Sequence, residues 1–205
     1  MANFVYKLSD LDLNKSYTYA DYLMWKFSER VELIKGKVFA MSPAPNTNHL
    51  RISQALNRIL DSFFYKNKCQ LFYAPFDVVL SKTKDDKKIK TVVQPDLGVI
   101  CDLSKLDETK CNGAPDLVIE ILSPGNSKKE MKVKYELYEE NGVKEYLVID
   151  PEHESISVFV LIKNKFVPQK PLTTEDKMKS SIFPSLEFNA DEIFKDVHKF
   201  KIKKK

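Results

Sequence analysis

At 205 residues the chain is long enough for one domain with a single sizeable core. Its hydrophobic fraction of 43% and charged fraction of 30% exclude a disordered chain, and no apolar run approaches the ~20 residues of a membrane-spanning helix. The net charge of +4 is concentrated at the end: residues 195–205 carry six lysines against one aspartate, leaving the body near −1, which makes no case for a dedicated polyanion binder.

The first ten residues lack the basic start and apolar core of a signal peptide. Three cysteines, Cys69, Cys101 and Cys111, form no metal-type pair, and their odd number argues against a disulfide framework. Buried thiols in a reducing cytoplasm are the expectation.

In chain order, Thr18 is placed to cap a helix reaching Phe27, and Val31–Ile34 with Val38–Met41 reads as a hairpin turning at Lys35-Gly36-Lys37. Asn46 or Thr47 opens a long helix to about Asn67, with Leu50, Ile52, Ala55, Leu56, Ile59, Leu60, Phe63 and Phe64 on its apolar face. Leu71–Leu80 reads as a strand in which Pro75 marks an edge or bulge. The polar segment Ser81–Lys90, with five lysines against two aspartates, is a solvated loop. Val92–Cys101 is predicted as a strand carrying Asp96, Cys111–Ala114 as a loop, and Pro115–Leu122 as a further strand. After the turn at Ser123–Ser127, a capping-box spacing (Ser127, Glu130) starts a helix that Gly142 ends. Lys144–Pro151 and Ile156–Ile162 are two more strands, so the order predicts a mixed α/β sheet with helices against it.

Within this frame Glu120 sits inside the apolar run Leu117–Leu122, where a carboxylate is costly to bury unless a cation or donor compensates it. Alternation puts Asp116, Val118, Glu120 and Leu122 on one face. Asp116 and Glu120 are then roughly 13 Å apart, too far to share an ion, and Asp116 is read as a strand-entry residue bonding local amides. Asp96, on another strand, is free to lie beside Glu120. Two close carboxylates raise each other's pKa, which a divalent cation reverses, and oxygen donors favour Mg²⁺ or Mn²⁺. Lys134 falls on the inward helical stripe 131, 134, 135, 138. It either snorkels to water or, beside two carboxylates and a metal, orients or deprotonates an attacking water.

Pro95-Asp96, the run Pro115-Asp-Leu-Val-Ile-Glu-Ile-Leu-Ser-Pro124, Lys134-x-x-x-Tyr138 and Gly142-Val-Lys-Glu-Tyr-Leu-Val-Ile-Asp-Pro151 resemble the Uma-two family. That family is part of the PD-(D/E)XK nuclease superfamily, and the resemblance extends to Glu32-Leu-Ile-Lys-Gly36, Met41-Ser-Pro43 and His49, covering roughly residues 17–162. It implies a single restriction-endonuclease-like domain over residues 1–194, with a mixed central β-sheet flanked by helices, followed by a basic tail at 195–205. It also implies Mg²⁺-dependent hydrolysis of DNA phosphodiester bonds by a cytoplasmic endonuclease. Asp96 and Glu120 would hold the metal (Mg²⁺ or Mn²⁺), with the Ile121 carbonyl as a further ligand. The superfamily places a lysine two residues after the glutamate; Leu122 stands there, and Lys134 is the implied substitute. Glu32 is either an additional carboxylate at that centre or an edge-strand glutamate in solvent. His49 is read as a local cap in preference to a substrate contact. A homodimer would suit cutting of both strands, although no seam is readable. The alternative is a catalytically inactive nucleic-acid-binding or scaffold protein on the same fold.

Overall fold

A computed structural model describes residues 4–41, 45–123 and 128–197, the side chains of 128–130 excepted. Helix α1 (Tyr19–Tyr22) starts from a reciprocal capping box between Thr18 and Asp21. It is shorter than predicted because the next backbone groups turn to Val5: Met24 accepts from the Val5 amide and Lys26 donates to the Val5 carbonyl. Strands β1 (Val31–Ile34) and β2 (Lys37–Ala40) form the predicted hairpin. Its two turn residues, Lys35 and Gly36, have φ of +50° and +80°, a combination that matches the twist of the flanking strands. Helix α2 (Thr47–Phe64) is capped by the Asn46 side chain, which accepts from the His49 amide. Ile52, Ala55, Leu56, Leu60 and Phe64 are buried along it, whereas Leu50 faces solvent.

Both long strands predicted around prolines are broken there, and each half joins a different sheet. Leu71–Leu80 becomes β3 (Gln70–Tyr73) and β4 (Asp77–Val79), and Val92–Cys101 becomes β5 (Val92–Val93) and β6 (Leu97–Ile100). Pro75 and Pro95 have no amide hydrogen to offer a ladder. The two crossings lie side by side, since the Ala74 amide donates to the Asp96 carbonyl. The loop predicted over 111–114 contains a short strand, β7 (Lys110–Asn112), whose parallel pairing with β4 no local pattern announces. Then follow β8 (Leu117–Ile121), α3 (Lys128–Asn141), β9 (Glu145–Asp150), β10 (Ser155–Ile162), β11 (Lys165–Pro168), the β12 (Lys177–Lys179) and β13 (Glu187–Asn189) pair, and α4 (Asp191–Phe194). Gly142 at φ +82° ends α3 in a Schellman motif: its amide donates to Glu139 and that of Val143 to Tyr138. The cap expected from Ser127, the 124–127 part of the preceding turn, Ser42-Pro43 and the tail beyond Val197 lie outside the described residues.

The central sheet is mixed and six-stranded, in the order β11-β10-β9-β8-β6-β3, with α3 connecting its one parallel pair, β8 and β9. A second sheet runs β2-β1-β5-β4-β7. One face of the central sheet (Leu97, Leu117, Ile119, Leu147, Ile149) packs against α2 and the C-terminal segment through Ile193, Phe194 and Val197. The other face (Val118, Tyr146, Val148) packs against α3 and, through Ile34, Val78 and Val93, against the second sheet. The site therefore lies at a junction of two sheets and a helix.

Two sequence expectations are corrected here. Cys69 and Cys101 are joined in a disulfide, and only Cys111 is a free, buried thiol. The β3–β6 register that pairs Gln70 with Ile100 brings these cysteines opposite one another, although 32 positions separate them in sequence. Spacing and an odd count carry no trace of such a cross-strand meeting. Two of the three thiols on which the expectation of a reducing compartment rested are therefore paired. Among the described residues, no helix is long and apolar enough to cross a membrane. Asp116, expected to bond local amides, instead accepts from the Cys101 amide at 2.8 Å and from Lys144 Nζ at 2.6 Å, so it ties β6 to the start of β9.

Candidate active site

Strand β8 is buried at every position. A two-residue period sends Leu117, Ile119 and Ile121 toward α2 and leaves Val118 and Glu120 on the α3 side. Glu120 thus enters an apolar layer as a carboxylate, and three elements converge on it. From α3, Lys134 Nζ donates to Glu120 Oε1 at 2.9 Å, and the Tyr138 hydroxyl donates to the same oxygen at 2.6 Å. Lys134 and Tyr138 are four residues apart, so one helical face presents both. From β1 in the other sheet, Glu32 Oε1 lies 3.1 Å from Lys134 Nζ and accepts from the Gln94 amide at 2.9 Å. Glu32 is 3% exposed, which removes the reading of an edge-strand glutamate in solvent.

Asp96 reaches the same place from the break between β5 and β6. The antiparallel register that pairs Leu97 with Ile119 sets Asp96 opposite Glu120 when carried one residue further. Its Oδ2 accepts from the Ile121 amide at 2.8 Å and lies 3.2 Å from His49 Nε2. His49 is therefore no simple cap. Its amide serves the helix start through Asn46, while its buried imidazole is directed at Asp96 and its Nδ1 has no hydrogen-bond partner among the described residues.

The charge pattern is compact. Burial first, then the charges of Asp96 and Glu32, raise the Glu120 carboxyl to about 7 against the opposing pull of Lys134 and the Tyr138 hydroxyl. Lys134 loses hydration on burial, yet Glu120 and Glu32 hold its ammonium well above the ordinary lysine range. The Tyr138 phenol is likewise held above its usual range by burial and by Glu120. Lys134 is thus a fixed cation between two carboxylates, while Glu120 changes charge near neutrality.

Among the described residues, no group of three or more His, Cys, Asp or Glu side chains converges as a closed metal cage. Asp96 and Glu120 are instead a pair of hard oxygen donors on adjoining strand positions. That donor set fits Mg²⁺ or Mn²⁺, since Mg²⁺ keeps several waters and takes one or two carboxylates. Burial is the main cause of the raised Glu120 carboxyl, and the nearby Asp96 and Glu32 add negative charge that a cation would relieve.

Of the residues singled out in the sequence, Asp96, Glu120, Lys134 and Glu32 meet at this junction. Three participants go beyond the sequence reading: the Tyr138 hydroxyl and the Gln94 amide have no role in it, and the His49 ring stands there as a local cap. Tyr138 shares a stripe with Lys134, and that spacing was the available signal for it. Neither of the others has a local one.

The chain matches the Uma2 family model, described as "Putative restriction endonuclease", over residues 19–191. An uncharacterized protein of Synechocystis sp. is 25% identical over 142 residues, which span 68% of this chain and 71% of that protein. A crystal structure of a "putative nuclease" from Anabaena variabilis superposes with a TM-score of 0.69 at 19% identity, covering 87% of this chain and 97% of that one. At that identity the likeness carries the fold alone. The family match spans most of the sequence, and the chain belongs to the Uma2 family of restriction-endonuclease-like proteins.

Proposed function

We propose that the protein is a metal-dependent endonuclease that hydrolyses DNA phosphodiester bonds, with Asp96 and Glu120 holding Mg²⁺ or Mn²⁺. The observation that carries this reading is Asp96 set opposite Glu120 across two strands, with the Lys134 ammonium buried against Glu120. When bound, the metal would supply a Lewis acid for a phosphate oxygen and favour ionisation of water. The chain's own residues prepare the rest. Lys134 donates to Glu120 and lies 3.1 Å from Glu32, and its ammonium carries three N–H donors with which to meet a water or a phosphate oxygen as well. Held as an ammonium, it suits orientation and charge stabilisation better than proton abstraction. Glu32 and Tyr138 fix the positions of Lys134 and Glu120. The Ile121 amide and His49 fix Asp96.

One observation favours the inactive-scaffold reading: Glu120, Lys134 and Glu32 already satisfy one another without a metal. Calorimetric titration of Mg²⁺ and Mn²⁺ into the protein and into Glu120→Gln separates the two. Binding that the substitution abolishes, followed by metal-dependent cleavage of DNA that Asp96→Asn removes, supports the endonuclease. Absence of metal binding both alone and with DNA present, or full cleavage by Asp96→Asn, overturns it.

A further inference from the structure

Next to Glu120, on the same face of the central sheet, lies a cavity of about 230 Å³ walled by Met131, Tyr135, Tyr146, Val148, Ser157 and Phe159. Its floor is in register with the candidate site. Glu120 on β8 pairs with Val148 on β9, and Val148 pairs with Ser157 on β10, so the three form one row across the sheet. With strands ~4.8 Å apart, Val148 is one strand and Ser157 about two strands from Glu120. The helical wall is shared as well, because Met131 and Tyr135 flank Lys134 on α3.

The walls are rings. Tyr135 meets Phe159 edge-on with centroids 5.1 Å apart, and Phe159 lies 28° from the plane of Tyr146 at 5.8 Å. The Ser157 hydroxyl adds a polar group, and Lys132, its side chain 76% exposed, stands at the rim. A slot walled by aromatic rings, with the Ser157 hydroxyl among them and Lys132, 3.7 Å from Glu136, at its mouth, suits a planar heterocycle attached to an anionic backbone. We infer that this cavity receives one unpaired nucleobase of the strand whose phosphodiester lies at Asp96 and Glu120. This rests on the endonuclease reading for the identity of the strand. The volume admits a single base and no base pair, so the nucleotide enters single-stranded or turned out of a duplex. Stacking on protein rings is worth ~1–3 kcal/mol per base, roughly 5- to 150-fold in affinity.

The test uses short single-stranded oligodeoxynucleotides in EDTA, where no metal-dependent cleavage occurs. One strand carries a single 2-aminopurine between abasic residues, and its control is wholly abasic. The expected result is saturable quenching of the 2-aminopurine and about tenfold tighter binding than the control. Ser157→Trp, which fills the slot, and Phe159→Leu, which removes a wall, should each erase that preference while leaving affinity for the abasic strand unchanged. Equal binding of the two strands by the unaltered protein, or no quenching at all, overturns the inference; so does a preference that survives in either folded variant. Metal titration of the same protein freed of EDTA, alone and with uncleavable DNA, reads the other proposal independently. A base preference without metal binding upholds the pocket and sinks the metal site, whereas metal binding without a base preference does the reverse.

Discussion

Replacing Lys134 with methionine tests the charge logic of the site directly. The side chain is 9% exposed, and its ammonium lies 2.9 Å from Glu120 and 3.1 Å from Glu32, itself 3% exposed. Methionine preserves much of the stem volume, so the main effect is two buried carboxylates without their cation. Removing one partner of a buried pair costs ~3–5 kcal/mol. For a chain of this size that is a fall in Tm of roughly 6–20 °C, at ~2–4 °C per kcal/mol. The loss should depend on pH. Glu120 binds its proton more tightly folded than unfolded, so native stability declines as pH rises from about 4.5 to about 7. Without Lys134 its carboxyl moves higher still, and that decline continues above pH 7. Lys134 itself, held well above the lysine range, does not titrate in this window. Urea unfolding, followed by Trp25 fluorescence at pH 5.5 and 8.5, should show the larger deficit at pH 8.5. Lys134→Met combined with Glu120→Gln should recover part of it. A variant within about 1 kcal/mol of the parent at pH 8.5, well below the ~3–5 kcal/mol expected, would refute the reasoning. So would an equal loss at both pH values.

Because Glu120 must be ionised to hold a cation, Mg²⁺ affinity should fall about tenfold per pH unit below 7. Calorimetry in buffers of different ionisation enthalpy should detect the released proton, and a flat pH profile would exclude Glu120 as a ligand. Reducing the Cys69–Cys101 disulfide frees a loop of 32 residues and should lower stability by about 3–4 kcal/mol, measured as the urea midpoint with and without reductant. An unchanged midpoint after confirmed reduction would contradict that. Gly36→Ala drives a Cβ against Ser16 Oγ at a φ of +80°, and should destabilise the hairpin by at least ~1 kcal/mol. Thermal unfolding checks this, and an unaltered Tm would refute it, since the positive φ strains an alanine even if Ser16 moves aside.

The elements legible in the chain were those with a local physical signature. The Lys35-Gly36 turn, the amphipathic α2, the glycine stop after α3 and the apolar β8 each follow from neighbours within a few residues. The same holds for Glu120, conspicuous as a carboxylate in an apolar run, and for Lys134 on an apolar helical stripe. Tertiary structure decided what sequence-distant segments do to one another. Pro75 and Pro95 marked trouble in two strands, but only packing shows that the chain changes sheets there and so delivers Asp96 to a position opposite Glu120. Glu32 is a buried partner because β1 lies across the junction from α3, 102 positions away along the chain. Cys69 meets Cys101, and the His49 ring meets Asp96, through register and helix placement alone. Local backbone preferences act over a few residues, whereas ion pairs, disulfides and sheet partners are chosen by the whole packed core.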